Sequence, residues 1–338
     1  MLDHVGAAGY GARVAPGEKS GVNRSIVNES GRQESGRQES GTAEPGTERS
    51  GAERRSGGRA GGSALIDWPI PEPALPAAVH PVLADAARAA SAAYGAARRR
   101  HTRAELGTEV AMGADGTPTM LLDRLVEEAV ADVAHRHGVN LLSEEAGFVD
   151  NSSAVTMVVD PVDGSSNAAT GVPLSCFAGV LAIDGVGTEA VTTWLDTGRA
   201  WHAVAGTPTP FRTTGRTSLT GAEVCLLRPR PETVRTWQRV ALRAGRVRVL
   251  STTCLEAVLV AEGSIDAFAD VGAGVHRIMD LAAAMVIVPA AGGVVVDALG
   301  RPLELNPDLS LRWSGIVAAT EELAGELIDE IGAADTTD

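Results

Sequence analysis

Five short apolar runs, at residues 139–142, 154–159, 177–183, 224–227 and 247–250, alternate along the chain with stretches whose apolar residues return every three or four positions. Runs of that length, bounded by turn-forming residues, suit buried strands, whereas a period near 3.6 suits a helix with one buried face. Pro81–Arg100 is rich in alanine, opens on a proline suited to a first helical turn and ends on three arginines that the helix dipole favours. Leu121–His137 carries a stripe at Leu122, Leu125, Val126, Ala129, Val130 and Val133. Further helices are expected near 232–244, 255–261 and 281–291, and a hairpin-like stretch at 190–205 adds antiparallel strands. The pattern predicts a layered α/β fold with mixed rather than purely parallel sheets.

Upstream of that pattern the chain changes character. Between residues 28 and 59 the only apolar side chains are Ala43 and Ala52, and GRQES occurs twice in succession. Such a stretch buries too little surface to offset its ordering entropy, so residues 1–62 are expected to form a disordered tail, read as a dispensable extension in preference to a tether or partner-binding arm. Residues 63–338 can hold a large core, read as two closely packed lobes over about 63–210 and 211–338.

Composition removes several function classes. The 338 residues include 29 basic and 43 acidic ones, a formal net charge of −14, and the tail is nearly neutral, so the acidity belongs to the folded part. With so few aromatics (Phe 4, Trp 5, Tyr 2), neither phosphate-backbone binding nor base stacking is expected, and nucleic acid is not an expected partner. Lys19 is the only lysine and lies in the tail, which excludes a Schiff-base lysine and a P-loop lysine. Cys176, Cys225 and Cys254 are far apart and form no CxxC, so neither a zinc site nor a disulfide framework follows. No apolar run approaches the ~20 residues of a membrane span, and the N-terminus lacks a signal-peptide core. A soluble cytoplasmic protein without a membrane partner is the expectation.

The chemistry concentrates in carboxylates. In MVVDPVDGSSNAATG, residues 157–171, an apolar strand is expected to end at Asp160, Pro161 turns the chain, Asp163 follows, and Gly164, Ser165 and Ser166 open a short helix whose amides can face an anion. Glu144 and Glu145 follow the 139–142 run, Asp280 precedes a long apolar helix as a potential N-cap, and Asp123 lies just after GADGTPT. Each alone suits a turn, a solvated edge or a cap. Together, Asp123, Glu144, Asp160, Asp163 and Asp280 recur at the ends of apolar elements, where layered α/β folds place ligands. An all-oxygen donor set suits a hard cation such as magnesium, and clustered acids should raise one another's pKa values without one.

These phrases, GADGTPT, LLSEEAGFVD, DPVDGSSNA and RIMD, resemble the inositol monophosphatase family, the magnesium-dependent, lithium-sensitive sugar phosphatases. They are most similar to its archaeal branch, which hydrolyses both inositol monophosphate and fructose 1,6-bisphosphate. The resemblance implies a layered α-β-α-β fold and two or three magnesium ions held by Glu144, Asp160, the Val162 carbonyl, Asp163 and Asp280. Asp160 would bridge two ions. It also implies that Asp123 and the Ser165 hydroxyl, helped by Glu144, activate the attacking water, while Gly164 and Ser165 donate amides to phosphate. Glu145 would support the shell. Asp163, Gly164, Ser165 and Asp280 would border the substrate, with Asp270 accepting from a substrate hydroxyl. Arg277 would meet a second phosphate, or else pair with Asp270 or another acid. The sequence departs from the family pattern in three places. Ser165 replaces a usual threonine, keeping the hydroxyl but losing a methyl group that restrains it. Met279 stands in place of a tryptophan that the archaeal branch often lacks too, and the segment 270–280, in the region contacting the sugar ring, is longer than in animal enzymes. Members are commonly dimers, so a homodimer stays open.

The expected reaction is in-line attack of water on a phosphate monoester. Inositol-1-phosphate and fructose 1,6-bisphosphate lead as substrates, with histidinol phosphate and 3′-phosphoadenosine 5′-phosphate as alternatives. A haloacid-dehalogenase-type phosphatase needs DxD spacing and a lysine that the folded part lacks. A non-enzymatic acidic metal-binding scaffold is the alternative from another class. His135 and His137 sit two apart and share no helix face, so solvated side chains are expected. His276 is expected in a loop, Cys176 in strand core, and Trp194 and Trp201 on a sheet surface or interface.

Overall fold

The computed structural model describes residues 64–333, and the expected tail lies outside the described residues. The first half runs α1 (Pro81–Arg100), α2 (Arg103–Leu106), β1 (Glu109–Met112), β2 (Pro118–Met120), α3 (Leu121–His137), β3 (Asn140–Ser143), β4 (Gly147–Val149), β5 (Val155–Asp163), α4 (Ser165–Thr170), β6 (Cys176–Ile183), β7 (Val186–Trp194) and β8 (Ala200–Val204). The second half follows with β9 (Glu223–Leu226), α5 (Val234–Arg243), β10 (Arg246–Arg248), α6 (Thr253–Ala261), β11 (Ala267–Ala269), α7 (Ile278–Ala290), β12 (Val294–Asp297), β13 (Gly315–Ala318) and α8 (Glu321–Gly332).

Two mixed sheets form. One has the order β4-β3-β5-β6-β7-β8, with β3 and β5 parallel and the rest antiparallel. The other has the order β10-β9-β11-β13-β12, with β10, β9 and β11 parallel. Side chains alternate between sheet faces with a period of two, and that alternation sorts the core into separate clusters. On β5 and β6, Met157, Val159, Phe177 and Leu181 join α1 and α3, while Val158, Ala178 and Val180 face α6 and α7. On the second sheet, Cys225, Phe268 and Val317 face α6 and α7, whereas Val224, Leu226, Ala267, Ala269, Ile316 and Ala318 pack with α5 and α8. The expected α-β-α-β layering is therefore present, and α5 with α8 adds a fifth layer. α7 comes from the second half of the chain yet packs against β5 to β8 of the first.

Several expectations need correction. β5 does not end at Asp160 but continues to Asp163, its register against β6 shifting between those two residues, where Pro161 has no N–H to donate. The 247–250 run is strand only as far as Arg248. Trp201 is buried in the core, 3% exposed, because its indole N–H reaches Glu262 Oε2 at 2.8 Å and no longer needs water. The β1–β2 hairpin, β11 to β13 and α8 lie outside the elements expected, although α8 carries a helical stripe at Leu323, Ala324, Leu327, Ile328 and Ile331.

A buried ion pair secures the start of the described chain. Arg98 on α1 lies 2.7 Å from Asp196 after β7, with side chains 1% and 2% exposed. Asp196 also accepts from Trp68 Nε1, Tyr94 Oη and Ser175 Oγ, and Arg98 lies over the Trp68 ring at 4.3 Å.

Candidate active site

Four elements deliver acids to one place. Asp123 sits in the first turn of α3, where Oδ2 accepts from the Met120 amide at 3.2 Å while Oδ1 is buried without a partner. Burial raises its pKa to about 6. One turn further, Glu127 is buried and accepts from the Ser143 hydroxyl and from the Glu145 and Ala146 amides at 3.2 and 2.7 Å. It thereby fixes the β3–β4 turn that carries Glu144.

The end of β5 supplies Asp160 and Asp163. Gly164 follows at φ 83°, where an added Cβ would stand 2.7 Å from Leu174 O, so glycine suits both the left-handed backbone and the close approach. Asp163 accepts from Thr252 Oγ1 at 2.6 Å and from the Thr253 and Cys254 amides at 3.2 and 2.8 Å, which puts its charge at the N-terminus of α6. Asp280 is not an N-cap. Helix α7 begins at Ile278, and Asp280 lies in its first turn with Oδ2 accepting from the Arg277 amide at 2.8 Å.

Glu144, Asp160 and Asp280 each present an oxygen within 4.8 Å of the other two. Crowding is visible in their titration: burial, then Asp163, Glu144 and Asp280, hold the Asp160 pKa well above the usual carboxylate range. Burial lifts Glu144 to about 8 against the pull of Arg277, Glu145 to about 7 and Asp163 to about 6. Acids that resist ionisation until a cation is available, with only oxygen donors around the nest, fit a hard divalent ion. Cys254 shares a second grouping with Asp160 and Asp163, but its thiol is held far above its ordinary pKa by contact with Cys176 and by burial, and it donates to Asp280 O at 3.3 Å. A protonated thiol is no ligand for such an ion.

Val162 O accepts from Ser165 Oγ at 2.9 Å, which leaves its second lone pair. A pocket of about 10 Å³, room for one water, lies among Asp123, Glu144, Asp160 and Ser165. It neighbours a 430 Å³ cleft lined by Asp163, Arg230, Thr253, His276, Asp280 and Arg312, among others.

The expected residues Asp123, Glu144, Asp160, Val162, Asp163, Gly164, Ser165 and Asp280 thus converge. Asp270 does not join them: it is fully enclosed and accepts from the Ala273 amide at 2.8 Å and the Val275 amide at 3.4 Å, shaping its own loop. Arg277 pairs with acids other than Asp270. Its guanidinium meets Asp115, Glu144 at 2.9 Å and Asp280 at 3.8 Å. Glu145 accepts from Thr119 beside the nest. His276 is buried, Nδ1 accepting from the Gly315 amide at 3.1 Å and Nε2 lying 3.2 Å from Thr253 Oγ1. Cys176 is strand core as expected, with Sγ 3.5 Å from Asp163. His137 is on the surface, its Nε2 2.9 Å from Asp85 Oδ2. The residues that sequence reasoning missed are Glu127, legible only as an i, i+4 partner of Asp123, and Asp115 with Thr117 inside GADGTPT.

Residues 79–335 match the family described as the inositol monophosphatase family. A fructose-1,6-bisphosphatase/inositol-1-monophosphatase from Thermococcus kodakarensis is 30% identical over 231 residues, 66% of this chain and 86% of that protein. A bifunctional NADP phosphatase/NAD kinase from Methanococcus maripaludis is 28% identical over 255 residues, covering 66% of this chain and 44% of its own. Among solved structures, the extragenic suppressor protein SuhB from Bartonella henselae superposes with a TM-score of 0.61 at 22% identity, over 75% of this chain and 98% of that one, a likeness of fold.

Proposed function

The chain belongs to the inositol monophosphatase family, and from that premise we propose that it is a phosphoric monoester hydrolase acting on a small sugar or polyol phosphate with the help of magnesium. The observation that carries this reading is the convergence of Glu144, Asp160 and Asp280 oxygens within 4.8 Å, with the unpartnered Asp123 Oδ1 nearby.

Glu144, Asp160, the Val162 carbonyl, Asp163 and Asp280 would hold the cations. A bound divalent ion supplies charge compensation for the phosphate and acidifies a coordinated water. Asp123, whose carboxyl titrates near neutrality, accepts the proton of the attacking water, and the Ser165 hydroxyl orients that water between them. The Gly164 and Ser165 amides, at the turn into α4, donate to a phosphate oxygen, and the Glu127 carboxylate keeps Glu144 in register. A scaffold would have no use for Asp123 and Ser165 beside the acids, and this favours the enzyme over the binding protein.

Arg230 and Arg312 line the cleft beyond Asp163 and Asp280, which favours a substrate carrying a second anionic group. Fructose 1,6-bisphosphate therefore ranks ahead of inositol-1-phosphate, and histidinol phosphate behind both. The test is released phosphate from those three esters, 3′-phosphoadenosine 5′-phosphate and NADP, each with magnesium and with chelator. Magnesium-dependent release from a sugar or inositol ester supports the proposal. Full magnesium binding without release from any ester leaves the scaffold reading in its place.

A further inference from the structure

Arg277 is inserted among the acids of the nest, where its guanidinium meets carboxylates and a hydroxyl, while a second guanidinium, Arg312, lies 4.0 Å from Asp115 Oδ2. Nε donates to Asp115, one terminal nitrogen donates to Glu144 at 2.9 Å and to Thr117 Oγ1 at 3.1 Å, and the other lies 3.8 Å from Asp280. Arg277 is only 17% exposed and the Asp115 side chain not at all. The partners come from three places: the 113–117 loop of the β1–β2 hairpin, the β3–β4 turn and the first turn of α7. The loop also docks by backbone bonds, with the Ala114 and Asp115 amides donating to Glu145 O and Glu144 O at 3.0 and 3.3 Å. Arg312 adds a bond to Asp115 O at 3.1 Å.

We infer that Arg277 is a built-in counter-cation: its guanidinium stands in for a divalent ion between Glu144 and Asp280, ties the 113–117 loop to the nest, and is displaced from Glu144 when a cation binds. The inference rests on the reading that this nest takes magnesium. Three carboxylates so near one another repel strongly, and a guanidinium fork can satisfy two of them at once where an ammonium cannot. Asp115 lies outside the grouping of Glu144, Asp160 and Asp280, its side chain fully enclosed, and it accepts from Arg277 Nε and from the Thr117 amide at 2.8 Å. It is therefore the anchor on which the displaced guanidinium remains. Arg277 acts here as a positioning residue. It prevents collapse of the nest in the ion-free protein and competes with the ion for one ligand.

The experiment measures magnesium affinity by calorimetry and thermal unfolding in chelator, on the full chain, for the wild type, Arg277→Gln and Arg277→Lys. With no guanidinium to displace, Arg277→Gln should bind magnesium about tenfold more tightly, a gain of ~1.4 kcal/mol. It should also melt at a lower temperature in chelator and regain that loss in magnesium. Arg277→Lys, which keeps the charge and folds without the fork, should fall between the two in affinity, and it carries the test if the glutamine variant does not fold. Equal or weaker magnesium binding in both variants, beside a wild type that binds and hydrolyses normally, overturns this inference alone. A wild type that binds no magnesium overturns the functional reading and this inference with it.

Discussion

The metal-free protein should lose stability as pH rises through neutrality, and Asp123 allows the size of that loss to be worked out. Its carboxyl is held at about 6 against an ordinary 3.8, chiefly by burial. About two pH units at 1.36 kcal/mol each correspond to about 3 kcal/mol. The sign follows from proton binding. The folded chain keeps this proton to a higher pH than the unfolded chain does, so the contribution is complete below pH ~4 and is lost as pH passes through ~6. Glu145 and Glu144, raised to about 7 and about 8, extend the loss in the same direction. Carboxyls shifted the other way, such as Asp115 and Asp297, act below pH ~4.5 and do not offset it. Roughly half of the Asp123 contribution, ~1.4 kcal/mol, is lost between pH ~5 and ~8, so at about 2 to 4 °C per kcal/mol for a domain of this size Asp123 alone lowers the melting temperature by about 3 to 6 °C over that range. The assay is calorimetric unfolding over that range in chelator and again in saturating magnesium, for the wild type and Asp123→Asn. The expected result is a decline in chelator that shrinks in Asp123→Asn and is largely abolished by magnesium, which stabilises the ionised nest. A melting temperature that stayed level or rose with pH in chelator would refute the reasoning, as would an identical slope in magnesium.

Three further outcomes are expected. Asp160→Asn should cut magnesium-dependent phosphate release by about a hundredfold or more while far-ultraviolet circular dichroism stays unchanged, because only the charge facing the ion is lost. Asp196→Asn should cost about 3–5 kcal/mol in denaturant unfolding by leaving Arg98 buried without its anion, and the double change Arg98→Met with Asp196→Leu should restore most of it. Gly164→Ala forces a Cβ to 2.7 Å from Leu174 O at φ 83°, costing at least ~1–2 kcal/mol. It should also depress turnover more than magnesium affinity, since the Gly164 and Ser165 amides shift relative to Asp163.

Periodicity in the chain was enough to place α1 and α3 at their observed bounds and to anticipate a layered α/β fold with mixed strand directions, because apolar spacing reports directly which face of an element is buried. The acids at Asp123, Glu144, Asp160, Asp163 and Asp280 were legible for a related reason: each ends or begins an apolar element, and strand ends of a layered fold lie together. The three-residue edge strand β4 is too short to show a period, whereas α8 carries one at Leu323, Ala324, Leu327, Ile328 and Ile331, outside the helices expected.

The amino-acid sequence by itself determined the alternation of helices and strands, the identity of the five acids and the absence of any lysine from residues 64–333. Only the tertiary structure decided who pairs with whom. Arg277 meets Asp115 across 162 positions of sequence, Asp163 reaches the first turn of α6 across 90, and Asp270 turns into its own loop instead of toward the cleft. A charge pair between distant segments depends on separations of a few ångströms, set by how the sheets stack and how loops close over them. Local patterning carries no record of those separations.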